Sequence, residues 1–138
     1  MSSGFGPRGN AVHRGIDFDG ELGDPIYAGA DGEMVDARGA LKPGEPGWVG
    51  GFGGWMVQDS IIDGQKVSLV YGHLFPKDIL VVKGQKVKRG ELIGRVGNNG
   101  DVVPGPNGDG SHVHFEVWPG GRLTGGTAVD PAPWLGIS

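Results

Sequence analysis

The chain has 138 residues, enough for one domain with a sizeable core, and its 30 glycines and 10 prolines imply many tight turns. Its net charge of −4 comes from 12 basic and 16 acidic residues with the basic ones scattered, which disfavours nucleic acid, a ligand that selects clustered positive charge. The absence of cysteine excludes disulfides and thiolate metal sites.

Met1 is followed by Ser2-Ser3-Gly4-Phe5-Gly6, with no basic n-region and no apolar h-region, so neither a signal peptide nor a bilayer span is expected. Three readings stay open: the protein acts where it is made, another device exports it, or the chain is a piece of something longer. Glycine content alone would raise the question of disorder, but 4 Trp, 5 Phe and repeated Val/Ile/Leu alternation argue for a packed core. No run of eleven or more residues carries a helical stripe, so the expectation is an all-β chain of short strands joined by turns.

In the first segment, His13-Arg14-Gly15-Ile16-Asp17 in extended form puts positions 13, 15 and 17 on one face. Gly15 would then leave open space between an imidazole and a carboxylate, and Gly15 and Gly20 make a helix the weaker alternative. Ile26 to Ala28 and Asp31 to Val35 read as strand, turn and strand. The long loop from Gly39 to Gly54 follows, punctuated by Trp48 and Phe52, with Trp55 just beyond it. These three aromatics suit either a wall for an extended ligand or a lid on the core.

Trp55 to Ile62 and Lys66 to Leu74 form a hairpin across Asp63-Gly64. Val67, Leu69, Tyr71 and His73 alternate with Ser68, Val70 and Gly72, so His73 ends a strand and could face either way. In Ile79 to Val96, two glycine turns separate short strands. The lysines there read as solvated surface, since no exposed tip presents one for modification as in carrier domains. Asp101, Asn107 and Asp109 in the loop from Asn98 to Ser111 fit turn chemistry, because their spacing matches no calcium loop. Val129 to Leu135 reads as a closing segment packed by Trp134.

Ser111 to Trp118 carries the chemistry. Val113, Phe115 and Val117 alternate with His112, His114 and Glu116, a strand with one face in a core and the other in a wet groove. The two imidazoles project the same way, with Cβ atoms roughly 7 Å apart, so both can serve one site. With His13, Asp17 and His73 they make a set able to hold zinc through two imidazoles and a carboxylate, leaving one position for water. Two further histidines remain to manage the water's proton and to steady charge on the attacked carbonyl. Spacing leaves open which of His112 and His114 would bind the metal.

The chain resembles the lysostaphin-like (LytM-type) zinc metalloendopeptidases that cleave peptidoglycan peptides. The resemblance is carried in order by Ser3 to Arg8, His13-Arg14-Gly15-Ile16-Asp17-Phe18, Pro25-Ile26-Tyr27-Ala28, Tyr71-Gly72-His73-Leu74, Lys83 to Gly90, His112-Val113-His114-Phe115-Glu116 and Val129-Asp130-Pro131. It implies that His13, Asp17 and His114 hold one Zn2+, that His112 is the general base, and that His73 is its partner in stabilising the tetrahedral intermediate. It implies a mainly antiparallel sheet with long loops walling a groove, and places Glu116 on the groove floor or behind a ligand.

Residues 1–138 are then one peptidase domain, monomeric, acting on the cell wall without nucleic-acid or membrane partners. A phage lysin domain, or a domain excised from a protein with its own wall-binding module, would fit the missing signal peptide. Asp109-Gly110-Ser111 replaces the family's Ser/Thr-Gly-Pro, and glycine bridges and D-Ala–diaminopimelate links both remain open as the bond cut. The alternative function is a non-catalytic LytM-type domain that binds the wall or activates amidases.

Overall fold

A computed structural model describes the backbone of residues 6–8, 11–13, 15–100 and 112–131. It is nearly all β. Among the described residues ten strands follow in chain order: β1 (Gly6–Arg8), β2 (Ala11–His13), β3 (Ile16–Asp19), β4 (Pro25–Tyr27), β5 (Gly32–Gly39), β6 (Gly54–Ile62), β7 (Gln65–Gly72), β8 (Lys86–Val87), β9 (Leu92–Arg95) and β10 (His112–Pro119). Six of them form one antiparallel sheet in the order β3-β10-β7-β6-β5-β8, while β1 pairs β2 and β4 pairs β9. Among the described residues no helix is long and apolar enough to cross a membrane.

Strand alternation explains the layering. Met56, Leu69, Tyr71, Phe115 and Val117 point to one side of the large sheet, where they meet Ile26 of β4 and Ile93 of β9 in the main core. Met34, Met56, Leu74 and Ile93 have no exposed surface, and burying each contributes roughly 1.5–3 kcal/mol. The other side carries a smaller cluster of Val49, Trp55, Val57 and Val70, with Phe52 and Trp118 packed on it. This second side is the one that His114 and Glu116 share.

The β6–β7 hairpin turns at Asp63-Gly64 as its sequence implies, with φ of 52° and 76°, the positive pair of a type I′ turn. The second strand expected near Asp31–Val35 runs on to Gly39. A bulge between Met34 and Asp36 hides this in the sequence, because the extra residue shifts the inside–outside phase. Met34 lies in the core, yet Asp36 accepts a hydrogen bond from the Trp55 indole on the opposite side. Lys83, Lys86 and Lys88 are exposed, as expected. Val129 bridges Val117 at the end of the described chain, and Trp134, like Asp101, Asn107 and Asp109, lies outside the described residues.

Candidate active site

The site is assembled by register. Strand β10 lies between β3 and β7, and His114 is paired directly with Asp17 on one side and Gly72 on the other. Residues paired across antiparallel strands have neighbouring side chains on the same face, so His114 and Asp17, far apart in sequence, meet. His114 Nδ1 lies 2.8 Å from Asp17 Oδ1 and its Nε2 lies 2.8 Å from Glu116 Oε2. Glu116 is itself buried and accepts the Trp118 indole N–H on its other oxygen at 2.6 Å.

Two carboxylates on one imidazole constrain its chemistry. When Nε2–H donates to Glu116, the neutral ring turns the Nδ1 lone pair toward the Asp17 oxygen. Two acceptors at 2.8 Å require something positive between them, either a proton on Nδ1 or a cation held by both. Burial alone lowers the His114 pKa. The hydrogen bonds and charges of Asp17 and Glu116 outweigh that and push it up to about 9. Carboxylate oxygen and a fixed imidazole nitrogen are what zinc accepts, so this pair fits the expected metal. His13, the third expected ligand, ends β2, but its side chain lies outside the described residues. Accordingly, no three His, Asp or Glu side chains among the described residues form a ligand cluster.

His112, two residues along the same face, lies with Nε2 3.5 Å from Asp17 Oδ1. His73 reaches this face by a backbone device. Alternation would place it with Tyr71 on the core side, but φ turns to +70° at His73 and swings the ring across. Its ring centroid then stands 4.7 Å from His112 and 5.9 Å from His114. The Nδ1–H of His73 donates to the Asn99 carbonyl at 2.7 Å. Burial, and next the positive charge that His112 can carry, lower the His73 pKa to about 4. A neutral His73 held in that tautomer offers a lone pair at Nε2, so it steadies negative charge only after taking a proton there.

Glycines let these parts approach. A side chain at Gly72 would collide with the Phe52 ring, and one at Gly15 with the Phe115 carbonyl and the Glu116 side chain. The space expected to stay open at Gly15 is therefore filled by β10 itself, and a bend at Gly15 separates β2 from β3.

Of the three aromatics singled out by sequence, Phe52 stands at the site, its ring centroid 5.6 Å from His114 and 6.2 Å from His73. Trp55 is buried behind it at 5.2 Å, so its contribution to the groove passes through Phe52. Trp48 is half-buried in the same loop, outside this ring cluster. Sequence reasoning missed Asn99, whose side-chain amide donates to the Ala40 and Leu74 carbonyls while its own carbonyl orients His73. A polar residue between glycine-rich loops gives no periodic signal. Trp118 and Arg122 were missed as well.

Comparison with known proteins agrees with this architecture. The model of Peptidase family M23 matches residues 11–131. The peptidoglycan DD-endopeptidase ShyA of Vibrio cholerae is 36% identical over 129 residues, covering 88% of this chain and 25% of that protein. The chain thus spans about a quarter of the length of the curated relatives it matches. Among solved structures, the catalytic domain of lysostaphin from Staphylococcus simulans superposes with a TM-score of 0.73 at 28% identity, covering 98% of this chain and 90% of that one. A zinc-containing peptidase from Vibrio cholerae gives a TM-score of 0.68 at 31% identity, covering 94% and 34%. The lysostaphin-like resemblance and the all-β antiparallel fold are both borne out: the chain belongs to peptidase family M23.

Proposed function

We propose that residues 1–138 form one zinc-dependent endopeptidase domain, active as a monomer, that hydrolyses peptide cross-links of bacterial peptidoglycan on the cell-wall side. The observation that carries this reading is the His114 imidazole fixed by Glu116 at one nitrogen and facing Asp17 at the other, beside two further histidines. The relatives named for peptidoglycan and zinc peptidase activity support it.

In this reading Asp17, His114 and His13 hold one zinc ion. When bound, the ion supplies acidified water and polarises the scissile carbonyl. Glu116 keeps the Nδ1 lone pair of His114 aimed at the ion by occupying Nε2–H. His112 accepts the proton of the attacking water. His73, anchored on Asn99 and adjacent to His112, shares that same proton with His112 and, while holding it at Nε2, steadies developing negative charge until the proton passes to the leaving amine. Phe52, backed by Trp55, and Trp48 wall the peptide groove.

The test is metal quantification on dialysed protein, followed by mass spectrometry of purified sacculi bearing either glycine bridges or D-Ala–diaminopimelate links. One zinc per chain and new peptide termini in one of the two digests are expected. A protein that binds sacculi but releases no peptide would overturn the hydrolase in favour of a wall-binding or amidase-activating domain.

A further inference from the structure

The face that carries the histidines also carries a cation with no assigned task. Arg122 follows β10 after the Gly120-Gly121 turn, and its backbone N–H donates to Ser68 Oγ at 2.8 Å. Its guanidinium carbon lies 4.8 Å from the Trp118 ring centroid and 5.0 Å from that of Trp55. Both rings are themselves fixed. The Trp118 N–H donates to Glu116 at 2.6 Å and the Trp55 N–H to Asp36 at 2.9 Å.

A guanidinium packed on two immobilised indoles is held in place through its π-faces, which leaves its in-plane N–H groups free to donate. Among the described residues they meet no acceptor. The Nε is buried without a hydrogen-bond partner, and no carboxylate among the described residues forms an ion pair with Arg122. The acids that bond the two indoles and Ser68 are engaged elsewhere: Asp36 by Arg38 and Trp55, Asp59 by Lys66 and Ser68, and Glu116 by His114 and Trp118. Nε is enclosed, but the two terminal Nη groups of the half-exposed side chain form a pre-oriented fork that matches a carboxylate, which accepts two parallel N–H groups.

We propose that Arg122, seated on Trp55 and Trp118, is a subsite for a free carboxylate of the peptide substrate. Trp118 bonds Glu116, which in turn bonds His114, so the subsite lies on the same face beside the ligand pair, within reach of one extended peptide. This deepens and rests on the endopeptidase reading above. It names carboxylate-bearing stem peptides, rather than an uncharged glycine bridge, as the substrate class the groove prefers.

The experiment uses two synthetic cross-linked stem peptides that differ only in having their side carboxylates free or amidated. Binding is followed by tryptophan fluorescence of the zinc-loaded His112→Ala protein, and turnover by mass spectrometry with the unaltered protein. The free acid should bind roughly tenfold more tightly or better, as expected for a charge-assisted pair. Arg122→Gln should erase that preference by weakening the acid alone, and Arg122→Lys should retain part of it. Equal affinity of the Arg122-containing protein for acid and amide overturns the proposal without recourse to any Arg122 variant. An equal loss for both peptides in Arg122→Gln overturns it too, leaving Arg122 a cover for the indoles. Discrimination without turnover of either peptide would uphold the subsite and sink the endopeptidase.

Discussion

The two sides of the six-stranded sheet both bury polar groups, and they do so in opposite ways. On the core side Gln58, Ser60 and Tyr71 are neutral and satisfied by one another. Gln58 donates to the Ala30 carbonyl at 2.7 Å, and Tyr71 donates to Gln58 at 3.2 Å and accepts from the Gly29 N–H at 3.0 Å. On the other side an imidazole stands between two carboxylates, a second is kept neutral by burial and anchored on a backbone carbonyl, and an arginine is stacked with its Nε unmatched. Matched neutral groups fix a fold, whereas ionisable groups arranged around an open position are placed for chemistry.

Substitutions that separate the two kinds of group give the largest effects. His114→Ala removes the imidazole that both carboxylates address. It should abolish zinc binding and, with it, hydrolysis of sacculi, as read by metal analysis and released peptides. His112→Ala should keep zinc and lower kcat by roughly 10² to 10⁴, the range for a lost general base. Release of the metal by His112→Ala instead would reverse the two roles.

These roles were unevenly legible in the sequence. Alternation sufficed for His112, His114 and Glu116, because a strand buried on one face repeats every two residues. Spacing offered Asp17 only as a candidate, and its pairing with His114 came from the family resemblance alone, since the β3–β10 register depends on contacts that spacing does not encode. His73 stayed ambiguous because its face is decided by a single positive φ just past β7. The bulge in β5 broke the phase that would have placed Asp36 beneath Trp55. Arg122 was invisible for a similar reason: a turn brings it back over a strand it does not belong to.

Glu116→Gln is the sharper test of the contrast, because it preserves shape and removes charge. With a weaker partner at Nε2, His114 should hold zinc roughly 10- to 100-fold less tightly, measured by competition with a chelator, and thermal stability should fall as well, because a Gln amide can accept from only one of the two N–H groups that Glu116 now satisfies. An unchanged zinc affinity would show that Glu116 only fills space.

The histidines also write the contrast into the pH dependence of the metal-free protein. His114 titrates at about 9 in the fold against about 6.5 unfolded, so its stabilisation is complete below about 6.5 and lost as pH rises through 9. His73 titrates at about 4, so the unfolded chain binds the extra proton between about 4 and 6.5, and stability rises with pH over that window. Denaturant titrations should therefore show a maximum near pH 6.5, with a fall on the order of 3 kcal/mol toward either end. A profile flat from pH 4 to 9 would contradict the burial and pairing described for both rings.

The smallest expected effect on activity comes from the core side, and it is the control the comparison needs. Tyr71→Phe keeps the ring, which packs 5.3 Å from Phe115, and removes only the hydroxyl. The Gly29 N–H and Gln58 Oε1 then lose their partner. Leaving buried polar groups unmatched costs about 1–3 kcal/mol, and the lower end applies where the open pocket beside Tyr71 and Gly29 admits water. Chemical denaturation should register that loss, while zinc content and kcat stay as they were, because Tyr71 faces away from His114 across the sheet. If Tyr71→Phe instead lowered zinc affinity as Glu116→Gln does, the two sides would be one coupled network. The division between a neutral scaffold and a charged working face would then have to be abandoned.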